Sequence, residues 1–124
     1  MVGFPKILWD NRFKDAVPVA SSTAAGYDVL NLRDWRAYTW FKFAAMPGTI
    51  TVDCGAAKSA DYALLHGHNL GSLGLTAEVR ASTDNFAASD VLVDTVSPTT
   101  DKPLLRTFNS ASYRYWRWKF TGAA

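Results

Sequence analysis

Apolar and polar residues alternate most clearly near the end of the chain, in Tyr113-Arg114-Tyr115-Trp116-Arg117-Trp118-Lys119-Phe120. A period of two places Trp116, Trp118 and Phe120 on one face and Tyr115, Arg117 and Lys119 on the other. That is the pattern of a strand with one face in a core and one in water. Three aromatics on a single face predict a central strand, because aromatic side chains bury large apolar areas and suit a pleated, half-buried surface. A helix fits worse, since the run of consecutive bulky residues leaves no coherent polar stripe.

The same alternation recurs upstream. Residues 49–54 place Ile50, Val52 and Cys54 inward and stop at Gly55, and residues 75–81 set Leu75, Ala77, Val79 and Ala81 against Thr76, Glu78 and Arg80. Residues 62–66 form a short, continuously apolar run, as expected of a strand covered on both faces. Residues 4–13 (around Ile7-Leu8-Trp9), 17–19, 91–93 and 104–108 complete a set of about eight short strands, with Pro18 confining its strand to an edge. Pro47-Gly48, the glycine-punctuated stretch 67–74, residues 82–85 and the proline-bounded 97–103 read as turns and loops. Residues 27–43 hold no period for long and are rich in large side chains. Asp28 is placed to cap one helical turn through Asn31, Trp40 is expected inside, and Trp35 or Tyr38 nearer the rim. The pattern predicts an all-β fold of short strands, a sandwich or a jelly roll. Neither a repeat nor a boundary divides the chain, so residues 1–124 are expected to form one domain, large enough to bury a core without staples.

Charge and cysteine content narrow the function classes. Thirteen Lys+Arg against eleven Asp+Glu give a net charge of +2 with no basic block, so the electrostatic footprint of a nucleic-acid binder is missing. Arg114, Arg117 and Lys119 beside aromatics are explained by strand alternation rather than as stacking platforms for single strands. The single cysteine, Cys54, excludes an internal disulfide and a cysteine-rich metal site, and its inward position reads as a small buried hydrophobe. The opening Met-Val-Gly-Phe-Pro-Lys lacks a charged region followed by an apolar run, and no stretch approaches the roughly 20 apolar residues of a membrane span. The expectation is a chain made in a cytoplasm, without signal peptide or membrane insertion.

Asn31-Leu32-Arg33-Asp34, Thr39-Trp40 and Ile50-Thr51-Val52-Asp53-Cys54-Gly55 occur in that order, followed by Leu65-His66-Gly67-His68-Asn69-Leu70, Val79-Arg80-Ala81-Ser82-Thr83-Asp84 and Tyr113-Arg114-Tyr115-Trp116-Arg117. Together these resemble the galactose-binding-like, or discoidin (F5/8 type C-like), jelly-roll domains over roughly residues 28–120. The Asn-Leu opening combined with Gly-His-Asn-Leu is most similar to such domains in bacteriophage and prophage tail-associated proteins. The resemblance implies a non-catalytic virion component, structural or for attachment, bound to other virion proteins and to copies of itself, and hence located in the virion. It implies, as the alternative, a carbohydrate-binding module for host surface glycan. The chain departs from the pattern after Phe120, where a further pairing segment is usual, so the first strand or a partner chain is expected to fill that place.

No catalytic constellation can be assembled from these residues. His66 and His68 would share a strand face as a metal pair, yet no acid or cysteine completes the set, and a strand-end histidine bonded to loop backbone is the plainer reading. No cofactor is expected. Calcium, which jelly-roll lectins often carry, would draw on Asp10, Asn11, Asp28 or Asp34, though no dense Asp/Asn/Gly loop marks a site. Asp53 and Arg114 sit at polar positions of packed strands and are a candidate structural ion pair, the alternative being that Arg114 reads a ligand. In this fold class sugars are held by loops at one end of the sandwich, here 33–41, 67–74 and 84–88. The candidate ligand residues are Trp35, Arg36, Tyr38, His68 and Asn69, set against the alternative that the aromatics merely cap the core.

Overall fold

The computed structural model describes residues 17–33 and 41–122. Among them five strands form: β1 (Val19–Ala20), β2 (Gly48–Leu65), β3 (Thr76–Ser82), β4 (Val91–Val96) and β5 (Leu104–Thr121). They are joined by a 3-10 turn at Val29–Arg33 and a single-turn helix α1 (Leu70–Leu73). The strands hydrogen-bond in the order β1-β2-β5-β3-β4, every pairing antiparallel. The aromatic strand β5 lies at the centre, where its alternation places it.

The register explains how the core fills. Trp116 stands between Val52 and Ala81, Trp118 between Ile50 and Val79, and Phe120 between Gly48 and Ala77. Each large ring on the middle strand is flanked by a smaller residue on either side, so the rings interdigitate rather than collide. All of these apolar side chains are buried, Ala77 and Ala81 completely. Trp118 and Phe120 stack at 5.9 Å, and Phe43 leans on Phe120 at 5.8 Å. A Cβ on Gly48 would lie 2.7 Å from the Phe43 ring, so the missing side chain makes room for that lid over the core.

β2 and β5 have 18 residues each. Straight, such strands would run about 60 Å, whereas a domain of this length has a radius of gyration of about 14 Å. They must fold over, and the pairing shows where: the register shifts between Asp53 and Lys58 and again between Ala60 and Tyr62. Gly55 takes φ +78° at the first shift, a conformation that costs glycine nothing. Beyond the bend, Ala60, Ala63, Leu65, Phe108, Ala111 and Tyr113 pack back onto the core. The Trp116 indole N–H donates to Lys58 O (3.2 Å) and Tyr113 O (3.1 Å), tying the fold-over to the central strand.

The expected short strands 49–54 and 62–66 are therefore one bent strand, as are 104–108 and 113–120. Gly55, read as the end of a strand, instead begins an irregular bend after which pairing resumes at Lys58. The 62–66 segment is not covered on both faces. Ala63 and Leu65 meet the core, while Leu64 and its cross-strand partner Leu105 are exposed. Val19–Ala20 is an edge strand paired with β2, as Pro18 requires. The 4–13 strand expectation and Trp40 lie outside the described residues.

Candidate functional site

By register, Gly48, Thr76, Val96 and Thr121 all lie at one end of the sheet. Three connections leave from that end: 21–47, 66–75 and 97–103. The first is clasped at its base. The Ser21 N–H donates to Thr49 O (2.9 Å), and the Thr49 N–H donates to Ser21 Oγ (2.9 Å). Ser22 Oγ accepts from the Ala44 and Ala45 N–H groups at 3.2 Å, and the Ala24 N–H donates to Lys42 O at 2.9 Å. Within this connection the Asp28 carboxylate accepts from the Leu30 N–H at 2.8 Å, the cap the 3-10 turn needs.

The second and third connections are bolted together. Asp101 accepts from the Ser72 N–H (2.8 Å) and from the Ser72 hydroxyl. Those Ser72 hydrogen bonds, the hydroxyl's first, hold the Asp101 carboxyl below its usual range. Gly71 lies directly against the other loop: a Cβ there would stand 2.5 Å from Thr100 N and O. Gly74 ends α1 in the left-handed conformation at φ +65°, the usual glycine stop. The glycines at 71 and 74 are thus required by close approach and by helix termination. The turn expected over 67–74 contains a helix, α1.

His68 joins the same clamp. Its Nε2 lies 2.7 Å from Lys102 O, and its Nδ1 accepts from the Leu70 N–H at 3.2 Å. A carbonyl only accepts and an amide N–H only donates, so the ring carries its hydrogen on Nε2 and both nitrogens are engaged. Asn69 differs. Its backbone carbonyl accepts from the Leu73 N–H (3.1 Å), but its side chain makes no cap hydrogen bond and the residue is exposed. Of the candidate ligand residues, the structure brings His68 and Asn69 to this end with opposite availability. Trp35, Arg36 and Tyr38 belong to the 21–47 connection but lie outside the described residues.

Among the described residues no three His, Cys, Asp or Glu side chains are grouped to hold a metal ion. β2 stops at Leu65, so His66 and His68 do not share a strand face. Of the oxygen donors considered for calcium, only Asp28 is described, and one of its oxygens is occupied as a cap.

At the opposite end, Arg114 donates from Nε to Asp53 Oδ1 (2.8 Å) and from Nη2 to Oδ2 (3.0 Å), a two-pronged pair. Asp53 Oδ1 also accepts from the Gly55 N–H at 2.8 Å, so the carboxylate braces the bend of β2 against β5. Arg114, then the Gly55 N–H, lowers the Asp53 pKa. Packed strands do not bury this pair: the two side chains are 46% and 45% exposed, a surface pair with modest energetic weight.

Sequence reasoning missed two constructions. Asp101 and Ser72 are 29 positions apart, and nothing local marks an aspartate in a polar loop as a partner. In residues 82–90, Ser82 is fully buried and its Oγ accepts from the Asp84 (3.1 Å) and Phe86 (2.9 Å) N–H groups. Asp84 in turn caps the Ala88 and Ser89 N–H groups at 3.0 Å. The Ser-Thr-Asp motif was legible as a turn, its buried hydroxyl was not.

Neither protein-family models nor curated proteins match the chain. Solved structures do. Chitosan-binding module 1 from the chitosanase/glucanase of Paenibacillus sp. IK-5 is 21% identical, with a TM-score of 0.71 over 91% of this chain and 87% of that one. The family 32 carbohydrate-binding module of NanJ from C. perfringens, in complex with galactose, is 12% identical, with a TM-score of 0.73 over 91% and 87%. The family 32 module of AlyQ, in complex with 4,5-unsaturated mannuronic acid, is 23% identical, with a TM-score of 0.67 over 87% and 84%. The fold is therefore the galactose-binding-like jelly-roll β-sandwich. Its neighbours are non-catalytic carbohydrate-binding modules, some of them carried by enzymes.

Proposed function

We propose that the chain is a non-catalytic glycan-binding module whose site lies at the sheet end formed by connections 21–47, 66–75 and 97–103. The observation that carries this reading is the sharing of one fold, over 91% of the chain, with modules described as binding chitosan and galactose. The geometry supports it further. The loop end is fastened by His68, Ser72 and Asp101, which leaves Asn69 exposed with an unengaged amide beside a scaffold that is already ordered. Such preorganisation lowers the entropic cost of holding a sugar. Trp35, Arg36 and Tyr38 remain the proposed stacking and hydrogen-bonding partners from the neighbouring connection. A place for the module on a phage or prophage tail, in contact with other virion proteins, rests on the Asn-Leu and Gly-His-Asn-Leu resemblance alone.

The test is binding of the purified chain to an array of bacterial surface polysaccharides and chitooligosaccharides, with Trp35→Ala and Asn69→Ala as variants. Selective binding is expected, weakened in both variants, with the melting temperature of Asn69→Ala unchanged. A folded chain that binds nothing on the array, with calcium present, would overturn the reading and return weight to protein partners in a virion.

A further inference from the structure

Four arginines are described with their side chains near or on the sheet, and three of them fork onto carboxylates. Arg80 reaches Glu78 (2.9 Å) and Asp90 (3.0 Å), Arg106 reaches Asp94 (2.6 Å), and Arg114 reaches Asp53 (2.8 Å). Arg117, next to Arg80 in the register, forms no such pair among the described residues. It is nevertheless held in place. Its Nε donates to Thr51 Oγ1 at 2.8 Å, and its guanidinium carbon lies 3.8 Å from the centroid of the Phe86 ring. Burial is the main influence on its pKa, in the downward direction, whereas the three paired arginines are raised by their carboxylates.

The partner ring is held at a cost. Phe86 has φ +64°, a left-handed conformation that a bulky side chain rarely adopts. The Ser82 hydroxyl and the Asp84 caps keep it there. A half-buried guanidinium whose only carboxylate influence is the through-space field of Asp90, an acid already paired with Arg80, is unfavourable, and so is the strained turn that covers one of its faces. Both make sense if the two free nitrogens, Nη1 and Nη2, complete their hydrogen bonds with a ligand. An end-on guanidinium edge matches a planar carboxylate through two parallel N–H···O bonds. Tyr115 and Lys119 flank it on the same outer face of β5.

We propose that Arg117, positioned by Thr51 and Phe86, is a second binding site that takes the carboxylate of an acidic sugar residue. It sits three residues along β5 from Phe120, and hence about 10 Å from the loop end, so one polysaccharide chain can cross both. The proposal rests on the glycan-binding reading for its ligand class, but its geometry is independent of the loop end.

The experiment is a nitrogen–proton NMR titration of the whole chain, reading the Arg117 Nε–H resonance, which is assigned by its loss in Arg117→Lys. The probes are sodium methyl glucuronide and methyl glucoside at equal ionic strength. The glucuronide should shift the resonance saturably and the glucoside should not. Phe86→Leu, which keeps the charge but removes the ring, should weaken the glucuronide response several-fold. No saturable shift with glucuronide, or an equal shift with glucoside, overturns the site. The two readings fail separately: array binding that depends on Asn69 with a silent Arg117 removes only this proposal, while an Arg117 response without any array binding removes only the loop-end site.

Discussion

Gly71→Ala tests the junction on which the loop end depends. Gly71 is inside helix α1, where alanine is the better helix former by up to about 1 kcal/mol, so local propensity alone predicts a more stable protein. The tertiary contact predicts the reverse. The new Cβ would stand 2.5 Å from Thr100 N and O, about 1 Å inside ordinary contact. The obstacle is backbone, and that backbone is anchored on its far side by the bonds of Asp101 to Ser72 and of Lys102 O to His68. Thr100 can retreat only by loosening them. Overpacking costs about 1–3 kcal/mol, and each strained or lost hydrogen bond adds about 1 kcal/mol. Less the propensity gain, the expected loss is about 2–4 kcal/mol. At about 2.1 cal/mol/K of unfolding entropy per residue, a chain of 124 residues shifts about 4 °C per kcal/mol, so the melting temperature should fall by about 8–15 °C by circular dichroism. A second arm isolates the cause. If the loop has moved, the Asp101 bonds are already weakened, and Asp101→Ala should cost less in the Gly71→Ala background than in the wild type. A Gly71→Ala protein that melts at or above the wild-type temperature refutes the reasoning.

Two further outcomes follow from the hydrogen-bond chemistry. Asp53→Asn should lower stability slightly at neutral pH, with the gap to wild type closing as pH falls. The wild-type carboxyl has its pKa lowered by Arg114 from an ordinary value of 3.8, so its contribution is present above that value and lost as pH drops through the folded one; denaturant melts from pH 7 to pH 2 that show a constant gap would contradict this. Ser82→Ala strips the buried hydroxyl that serves the Asp84 and Phe86 N–H groups and should cost about 2–3 kcal/mol, a fall of about 8–12 °C, and a melting temperature within 2 °C of wild type would remove that hydroxyl as the support of the turn.

The core was legible because its rule is local. Trp116, Trp118 and Phe120 alternate with polar residues over a few positions, and the faces they predict are the faces found, with β5 in the middle of the sheet. The bends in β2 and β5 were not legible, because alternation breaks in the same way at a turn and at a bulge. Only the partner strand reveals that 58–60 still pairs with 111–113. The candidate site divided along similar lines. The Gly-His-Asn-Leu motif located a loop, but the roles within it depend on a carbonyl at position 102 and a carboxylate at 101, more than 25 residues away. Pairing Asp53 with Arg114 followed from their polar positions in packed strands, while their exposure follows from the bend, which the pattern hid.

The distribution of engaged and free polar groups separates scaffold from surface for recognition. At the loop end, Ser21, Ser22, His68, Ser72 and Asp101 all direct their side-chain polar atoms into other parts of the chain. Replacing any of them would impair binding by loosening the loops, and that loss would be mistaken for a direct contact. Asn69 at the loop end and the Arg117 edge on the sheet face are different: each is held by neighbours yet retains unengaged donors. A binding surface needs that combination, because a donor on a mobile side chain forfeits much of its hydrogen-bond energy to ordering. Affinity lost without any change in melting temperature is therefore the mark to seek, and on this chain it is expected at Asn69 and not at His68.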